Sequence, residues 1–384
     1  MKISAIVIFL TIVLSVYTLV NWYIYVKTSA LFVGTSYLAL ILKIVFWVIV
    51  FAYPAGRILE RLVDIGPTHF LVKLGSFWLG AMLYLILAFL FIDILRAVNH
   101  YFPFASFLDF KGNPDSKLIV IKSVYYFVAL VLLAAYINAR IPRTNHFDLQ
   151  VSKSFGKVEK LRIVAVSDVH LGTLISKNRL NHLVEKINKQ NPDIVLFVGD
   201  VFDEDIAPVV NNGLGNYFQD IKSRFGVFAV PGNHEYFGSV EQKFKYLEQH
   251  GVKVLRDSTL LVDNSFYVVG RDDRQSAHFN GKPRKSVNDL VAGIDKTKPI
   301  VLLDHQPFNL NESVDNGVDL QLSGHTHNGQ LWPFNYITKA IFELSSGYKK
   351  IGNTNIIVSN GYGTWGPPMR LGSRPEILVI DLRP

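Results

Sequence analysis

Hydrophobic positions divide the chain into two textures. Up to about residue 140, apolar residues follow one another with little polar interruption in four stretches, 3–25, 37–53, 74–94 and 118–139. Each falls within the ~17–25 residues that carry a helix across the bilayer hydrocarbon, and a helix apolar on all sides belongs in lipid or in a large core. The pattern predicts a transmembrane bundle of about four helices over residues 1–140. Stretch 3–25 reads as a retained anchor. No small-residue cleavage site follows it, and Asn21-Trp22-Tyr23 has the character of an interfacial belt. Stretch 37–53 ends at Pro54, and Gly75 and Gly80 in the third stretch suit close helix contact. Lys43, Asp93 and Lys122 lie near enough to predicted ends to snorkel.

Beyond residue 140 the texture changes. Residues 141–160, polar and carrying Pro142 and Asn145, read as a linker, and 161–384 as one domain. Short β-branched runs at 162–166, 194–198 and 226–230 alternate with helical stretches at 177–190, 206–223 and 240–250, the mark of βαβ units and a parallel sheet. From Lys253 onward, runs at 265–269, 349–351, 356–359 and 377–381 are separated by Asp-Asn, Asn-Thr-Asn and Gly-rich turns, which predicts hairpins. The fold class is a membrane helical bundle followed by an α/β domain large enough for two packed sheets.

Composition sharpens this picture. The 384 residues are 49% hydrophobic with a mean hydropathy of +0.25, too apolar for an ordinary soluble protein. Of the formal charge of +8, most lies before residue 150, where 12 Lys and Arg face 6 Asp and Glu. That placement favours a lipid bilayer with anionic headgroups as partner over nucleic acid. Cysteine is absent, which excludes disulfides and thiolate-held metals and fits a reducing compartment. Lys2, Arg57, Arg61, Lys73, Arg140, Arg143 and Lys153 fall on one side of the predicted spans, and Lys27, Arg96, Lys111 and Lys117 on the other. The excess predicts a multi-pass protein of the cytoplasmic membrane with its C-terminal domain in the cytoplasm.

The candidate chemistry is concentrated where strand-like runs end. Five runs in turn lead into Asp168-Val169-His170, Gly199-Asp200-Val201-Phe202-Asp203, Gly232-Asn233-His234-Glu235, Asp304-His305 and Gly324-His325-Thr326-His327. One such motif alone reads as a turn, a helix cap or a core histidine. Five in order place hard and borderline ligand atoms together at the carboxyl ends of strands, where open α/β sheets carry their sites. Carboxylate, imidazole and amide donors without thiolate suit Mn, with Fe or Zn as alternatives. Two such ions about 3.5–4 Å apart need a bridging carboxylate, and such a pair activates water and clamps the oxygens of an in-line displacement at phosphorus. Asp200 is the natural bridge, and phosphate-ester hydrolysis the implied reaction.

Taken together, these motifs resemble the full ordered set of the calcineurin-like metallophosphoesterase superfamily. The Gly-, Pro- and Arg-containing tail at 361–376 is similar to its membrane-anchored bacterial branch, which includes UDP-2,3-diacylglucosamine diphosphatase-like enzymes. The resemblance implies a two-sheet β-sandwich flanked by helices over 161–384. It implies that Asp168, His170, Asp200 and His327 hold one divalent ion and Asp200, Asn233, His305 and His325 the other. It also implies that His234 meets the phosphoryl oxygen or leaving group while Asp203 orients its ring. The implied activity is a membrane-bound hydrolase of a phosphoester, phosphodiester or diphosphate by metal-activated hydroxide, on a lipid-linked or a soluble phosphorylated substrate. The alternative is a membrane sensor or scaffold that binds metal without turnover, which a missing ligand would mark; none is missing. Arg370 and Arg374 could grip a substrate phosphate, or be surface charges or partners of neighbouring carboxylates. The aromatic stretch 329–337 is either core or a lip that meets an acyl chain. His182, His250 and His278 read as structural, and His69, His100 and His146 as wet residues flanking the spans.

Overall fold

The computed structural model describes residues 3–32, 37–63, 65–156 and 158–384; Lys2, counted above among the basic residues, lies outside them. The chain forms two compact units, 1–136 with 366–368, and 137–365 with 369–384.

The first unit contains four helices long and apolar enough to cross a membrane: α1 (Ile3–Thr28), α2 (Tyr37–Glu60), α3 (Gly66–Tyr101) and α4 (Pro114–Asn138), the last of which runs on into the second unit. Their outward faces carry exposed leucine, isoleucine and aromatic residues such as Leu19, Phe91 and Leu130. This is the inverse of a water-soluble bundle and suits a lipid surround.

Helix α2 does not stop at Pro54 but continues through it to Glu60. Proline removes the N–H that would have bonded the carbonyl four residues back, and that carbonyl, Val50 O, instead accepts from the Tyr17 hydroxyl of α1 at 2.6 Å. A neighbouring helix thus supplies the missing donor, which is how proline is accommodated inside membrane helices. Gly75 of α3 lies where a Cβ would sit 2.2 Å from Tyr53 N of α2, so a side chain there would force the helices apart. Asn21 is fully buried and accepts from Trp78 Nε1 at 2.9 Å, while Tyr23 Oη donates to Asp93 at 2.7 Å. These two residues therefore face α3, and of the expected interfacial trio only Trp22 points outward. Asp93 likewise does not snorkel alone: Lys27 Nζ lies 2.6 Å from its carboxylate.

The second unit is built from two six-stranded sheets. The first contains β1 (Arg143–Gln150), β2 (Leu161–Val166), β3 (Ile194–Val198), β4 (Val227–Val230), β5 (Val252–Val254) and β12 (Glu376–Arg383), in the order β1-β12-β2-β3-β4-β5. The second contains β6 (Ser258–Val262), β7 (Phe266–Gly270), β8 (Ile300–Leu303), β9 (Leu320–Ser323), β10 (Gly347–Ile351) and β11 (Thr354–Val358), in the order β10-β11-β9-β8-β7-β6. Strands β2 to β5 run parallel, as do β7, β8, β9 and β11. Among the described residues, the expected hairpins occur only at the edges of the second sheet, as β6/β7 and β10/β11. Asp263 and Asn264, both with positive φ, make the first turn.

Alternation within the strands explains why they read as continuous apolar runs. Ile163, Leu196 and Val198 of the first sheet meet Val301, Leu303 and Leu322 of the second in the core between the sheets. Val164, Val195 and Phe197 point the other way, onto Leu180, Leu183 and Ile187 of the helix Lys177–Asn188. Both faces are covered, as parallel sheets require. The stretch 206–223 forms two short helices, Ala207–Asn211 and Asn216–Gln219.

The stretch read as a linker is partly strand. Residues 143–150 form β1, paired in parallel with β12 along its whole length. Only Leu149 of this strand is buried, so a polar edge strand carried no apolar signal. His146, expected beside a membrane span, lies on it.

Tyr17→Phe should destabilise the detergent-solubilised protein by about 1 kcal/mol, the usual worth of such a bond within a helical membrane bundle. Pro54→Ala, which restores the α2 N–H, should remove most of that penalty in the double variant. Thermal unfolding of the four combinations tests this, and strictly additive effects would disconnect Tyr17 from Pro54.

Candidate metal centre

Every motif lies in a loop at the carboxyl end of a parallel strand: 167–170 after β2, 199–203 after β3, 231–235 after β4, 304–305 after β8 and 324–327 after β9. The two sheets thus deliver residues from far-separated parts of the sequence to one edge of the sandwich. Asp168, Asp200, His170, His325 and His327 all adopt positive φ, between 48° and 70°. That backbone region is unfavourable for side chains with a Cβ and persists where surrounding structure enforces it. Gly199 and Gly232 permit the crowding, since a Cβ on either would lie 2.5 Å or less from His305 or Asp200.

Among the described residues three groups of ligand atoms result, one of them His170, Asp203 and His234, and the other two match the expected ligand sets. In one, His170 Nε2 and His327 Nε2 are 3.1 Å apart, and Asp168 Oδ1 is 3.4 Å from His327 Nε2 and 4.0 Å from His170 Nε2. In the other, His305 Nε2 lies 3.1 Å from Asp200 Oδ2, and His325 Nδ1 lies 2.8 Å from Asn233 Oδ1. Asp200 stands between them, because its Oδ2 is also 3.9 Å from His170 Nε2. Its Oδ1 accepts from His234 N at 2.8 Å, and the Asp168 carboxylate accepts from His325 N at 3.0 Å.

The donor set fits divalent ions on a specific observation. His305 places Nδ1 2.7 Å from the Val198 carbonyl, so Nδ1 carries the proton and donates. The opposite nitrogen, Nε2, is buried and makes no hydrogen bond, although Asp200 Oδ2 is within 3.1 Å. A buried acceptor aimed past a carboxylate is costly unless a cation joins them. The other ring nitrogen of a metal-bound histidine is usually fixed by such a carbonyl.

Electrostatics in the site are strongly coupled. Burial raises Asp168 to about 6 and lowers His170 to about 3, with neighbouring His234 adding to the effect. Burial lowers His325 to about 4. Burial would also raise Asp200, yet His305, His234 and His170 around it hold it well below the usual carboxylate range. Conversely, Asp200 and Asp168 keep His305 well above its ordinary value against the opposing effect of burial.

His234 lies over the centre with its ring edge-to-face with His170, centroids 4.6 Å apart. Its Nδ1 is 2.9 Å from the main-chain carbonyl of Asp203, while the Asp203 carboxylate is 3.6 Å away. Asp203 thus bears on this ring first through its backbone, which leaves Nε2 as the nitrogen available to a substrate.

Arg370 occupies a different place from the one expected. It is fully buried, and its guanidinium donates to the carbonyls of Asn360, Gly361 and Gly363 and lies 2.9 Å from His327 Nδ1. With its donors turned to the chain itself it is a support for His327, not a grip for a substrate phosphate. A guanidinium only donates, so His327 presents an unprotonated Nδ1 to it. Burial and the adjacent Arg370 charge keep this ring from becoming cationic. Arg374 is exposed and, among the described residues, makes no hydrogen bond or ion pair with a residue of the centre.

Several buried residues that the motifs did not reveal hold the loops. Glu235 accepts from the backbone N–H groups of Asp200, Phe202 and Gly232 at 2.9, 3.0 and 2.7 Å, fastening the loops after β3 and β4 to each other. Lys243, on the helix Val240–Gln249, donates to the carbonyls of His234 and Phe237 at 2.8 and 2.7 Å. Asp304 is gripped by Arg271 at 3.1 Å and Arg284 at 2.7 Å, which steadies His305 beside it. The one available signal was the presence of a charged residue inside an otherwise catalytic motif, as with Glu235 and Asp304.

Beside the centre is a pocket of about 320 Å³, with Asp200, Asn233, His234, His325 and His327 on one side and Phe334, Ile337 and Trp365 on the other. The stretch at 329–337 is therefore not core. Leu331 is buried, but Trp332, Phe334, Tyr336 and Ile337 are exposed, the last three on the helix Phe334–Ile341, of which no residue is buried. His182 and His278 are exposed, and His250 bonds its ring nitrogen to the Tyr246 carbonyl at 2.7 Å; none joins the centre.

The calcineurin-like phosphoesterase family model matches residues 161–329. An uncharacterized metallophosphoesterase of Aquifex aeolicus is 32% identical over 66% of this chain and 97% of its own length. A Campylobacter jejuni metallophosphoesterase is 27% identical over 98% of both chains. A zebrafish "transmembrane protein with metallophosphoesterase domain" is 29% identical over 84% of this chain and 76% of its own. With the motif loops, the two-sheet sandwich and a relative matched over nearly its whole length, the chain belongs to the calcineurin-like metallophosphoesterase family.

Proposed function

We propose that the chain is a two-metal phosphoester hydrolase of the cytoplasmic membrane that acts on an amphiphilic, lipid-linked phosphate or diphosphate. The observation that carries the reaction class is the shared position of Asp200 between two converging sets of donors. Asp168, His170, Asp200 and His327 would hold one ion, and Asp200, Asn233, His305 and His325 the other, with manganese the best match to this hard, thiolate-free set. When bound, such a pair makes water nucleophilic near neutral pH and neutralises charge on the phosphoryl oxygens.

The chain's own residues do the remainder. Asp200 keeps the two donor sets in register. His234, fixed by the Asp203 carbonyl, offers Nε2 to a phosphoryl or leaving-group oxygen and hands it a proton as the ester bond breaks. Glu235 and Lys243 keep His234 and Asp200 at the spacing this needs.

The apolar wall of the pocket supports the finer reading of the substrate. Phe334, Ile337 and Trp365 would lie against the organic group of an ester whose phosphate sits on the ligand side. A soluble nucleotide leaves that wall wet, whereas an acyl or prenyl chain covers it. A UDP-diacylglucosamine-like diphosphate combines both features. In the membrane we assign four spans with the phosphoesterase unit on the cytoplasmic side, in line with the greater number of basic residues on that side.

Asp200→Asn and His234→Ala should separate binding from chemistry. The first should lose turnover and metal at both positions. The second should keep two metals per chain yet lose roughly 10²–10⁴ in rate, the worth of a positioned acid. Metal analysis alongside hydrolysis of a chromogenic phosphodiester checks both, and metal loss in His234→Ala would make that residue a ligand.

Replacing Phe334 and Ile337 together by serine should raise KM about tenfold or more for a long-chain lipid phosphate in mixed micelles, since each loses most of a buried apolar side chain's contribution. A water-soluble phosphodiester should be hydrolysed as before. Equal effects on both substrates would remove the apolar wall from substrate selection. For the orientation, alkaline phosphatase fused after Pro384 should be inactive and a fluorescent protein active; the reverse pattern would place the phosphoesterase unit on the other side.

A further inference from the structure

The first unit contains a second built site that the hydrolase reading does not use. At the end of the bundle where α1 and α3 finish and α4 begins, a cavity of about 260 Å³ is lined by Lys27, Asp93, Arg96, Lys111 and Lys117. It adjoins a larger one of about 870 Å³ that shares Asp93, Arg96 and Lys111. Four cations therefore face two carboxylates. Asp93 is engaged by Lys27 at 2.6 Å and Arg96 at 3.7 Å, and Asp109, in the larger cavity, accepts from the main-chain N–H groups of Lys111 and Gly112 at 3.1 Å. The guanidinium of Arg96 is stacked over Phe110, 4.1 Å from the ring centroid, and its Nε is buried without a hydrogen-bond partner. Lys111 and Lys117 have no ion-pair partner among the described residues. The site is thus short of negative charge.

Its polarity is graded along the helix axis. On α3 the lining passes from Phe89 and Ile92 to Asp93 and Arg96, an apolar turn followed by a charged one, and Ile121 of α4 continues the apolar end. Nearby on the α3–α4 connection, Tyr101, Phe102, Phe104 and Phe107 are all more than half exposed. Aromatic side chains exposed in this way collect at the headgroup level of a bilayer. A free inorganic anion would leave the apolar turn unused.

We propose that this cavity binds the phosphate headgroup of an anionic lipid, with Arg96, Lys111 and Lys117 around the phosphate and the first part of the acyl or glycerol moiety against Phe89 and Ile121. Guanidinium and ammonium donors are the usual partners of such phosphates, and each basic residue near an anionic surface strengthens attachment several-fold. The site is independent of the metal centre and stands or falls without it.

The test uses the full-length protein in a neutral detergent, with fluorescent phosphatidylglycerol and fluorescent phosphatidylcholine as probes. The wild-type protein should bind the anionic lipid at least tenfold more tightly than the zwitterionic one, and Lys111→Gln/Lys117→Gln should abolish most of that preference, a loss on the order of two basic contacts. Removing the same charge elsewhere in the bundle, with Lys43→Gln/Lys73→Gln, should leave the preference intact. Hydrolysis of a soluble chromogenic phosphodiester should be unchanged in both double variants, which separates this site from the catalytic one. Equal binding of the two lipids, an equal loss in the control variant, or displacement of the lipid by millimolar inorganic phosphate would each overturn the proposal. The first would remove the site, the second would reduce it to diffuse attraction, and the third would make it a site for free anions.

Discussion

The second unit is organised around one electrostatic problem: how to keep Asp200 dry and charged among other ionisable groups. A lone carboxylate in such a place would take up a proton. Here the surrounding imidazoles hold it ionised, its Oδ1 takes the N–H of His234, and its own N–H is taken by Glu235. These partners come from the ends of β2, β4 and β8, strands of both sheets. The site therefore exists only when both sheets have closed, and the sandwich is as much a device for enforcing charge proximity as a hydrophobic fold. The positive-φ residues that carry the ligands show where that enforcement is applied to the backbone.

Much of this was legible in the sequence because two independent signals coincide. Continuous apolar runs such as 194–198 mark strands covered on both faces, and the ligand types that follow them mark the carboxyl ends of those strands. What stayed hidden has a physical reason in each case. Strand β1 is polar because an edge strand with one buried side chain needs no apolar face. Helix α2 ran past Pro54 because its compensating donor, Tyr17, belongs to another helix, and no local rule can find it. Neither a phosphate grip nor a surface charge describes Arg370, because its partners are main-chain carbonyls, which sequence does not display. Asp203 is the subtlest of these. Its residue type suggested a carboxylate that orients His234, while the nearer contact is made by the carbonyl that any residue would have.

The two units deal with polarity in opposite ways. In the first, apolar side chains face outward and the few polar contacts, Asn21 with Trp78 and Lys27 with Asp93, lie between helices. In the second, polar residues cluster at one edge of a sandwich whose middle holds a large cluster of aliphatic and aromatic side chains. A chain with a mean hydropathy of +0.25 is thus an average of two regimes, and neither unit has a composition typical of that average.

The pairing of β1 with β12 sets an order of events during synthesis. Strand β12 lies between β1 and β2 in the sheet, so the segment leaving α4 has no strand to join until Glu376 and its successors have been made. At about 5–20 residues per second, the ribosome takes on the order of tens of seconds to travel from one strand to the other. Throughout that interval β2 also lacks its antiparallel neighbour, and the first sheet has an open edge of the kind that recruits foreign strands. The helices of the first unit, made earlier, would by then already be in place for insertion. The sheet that carries three of the five ligand loops is thus the last to be completed.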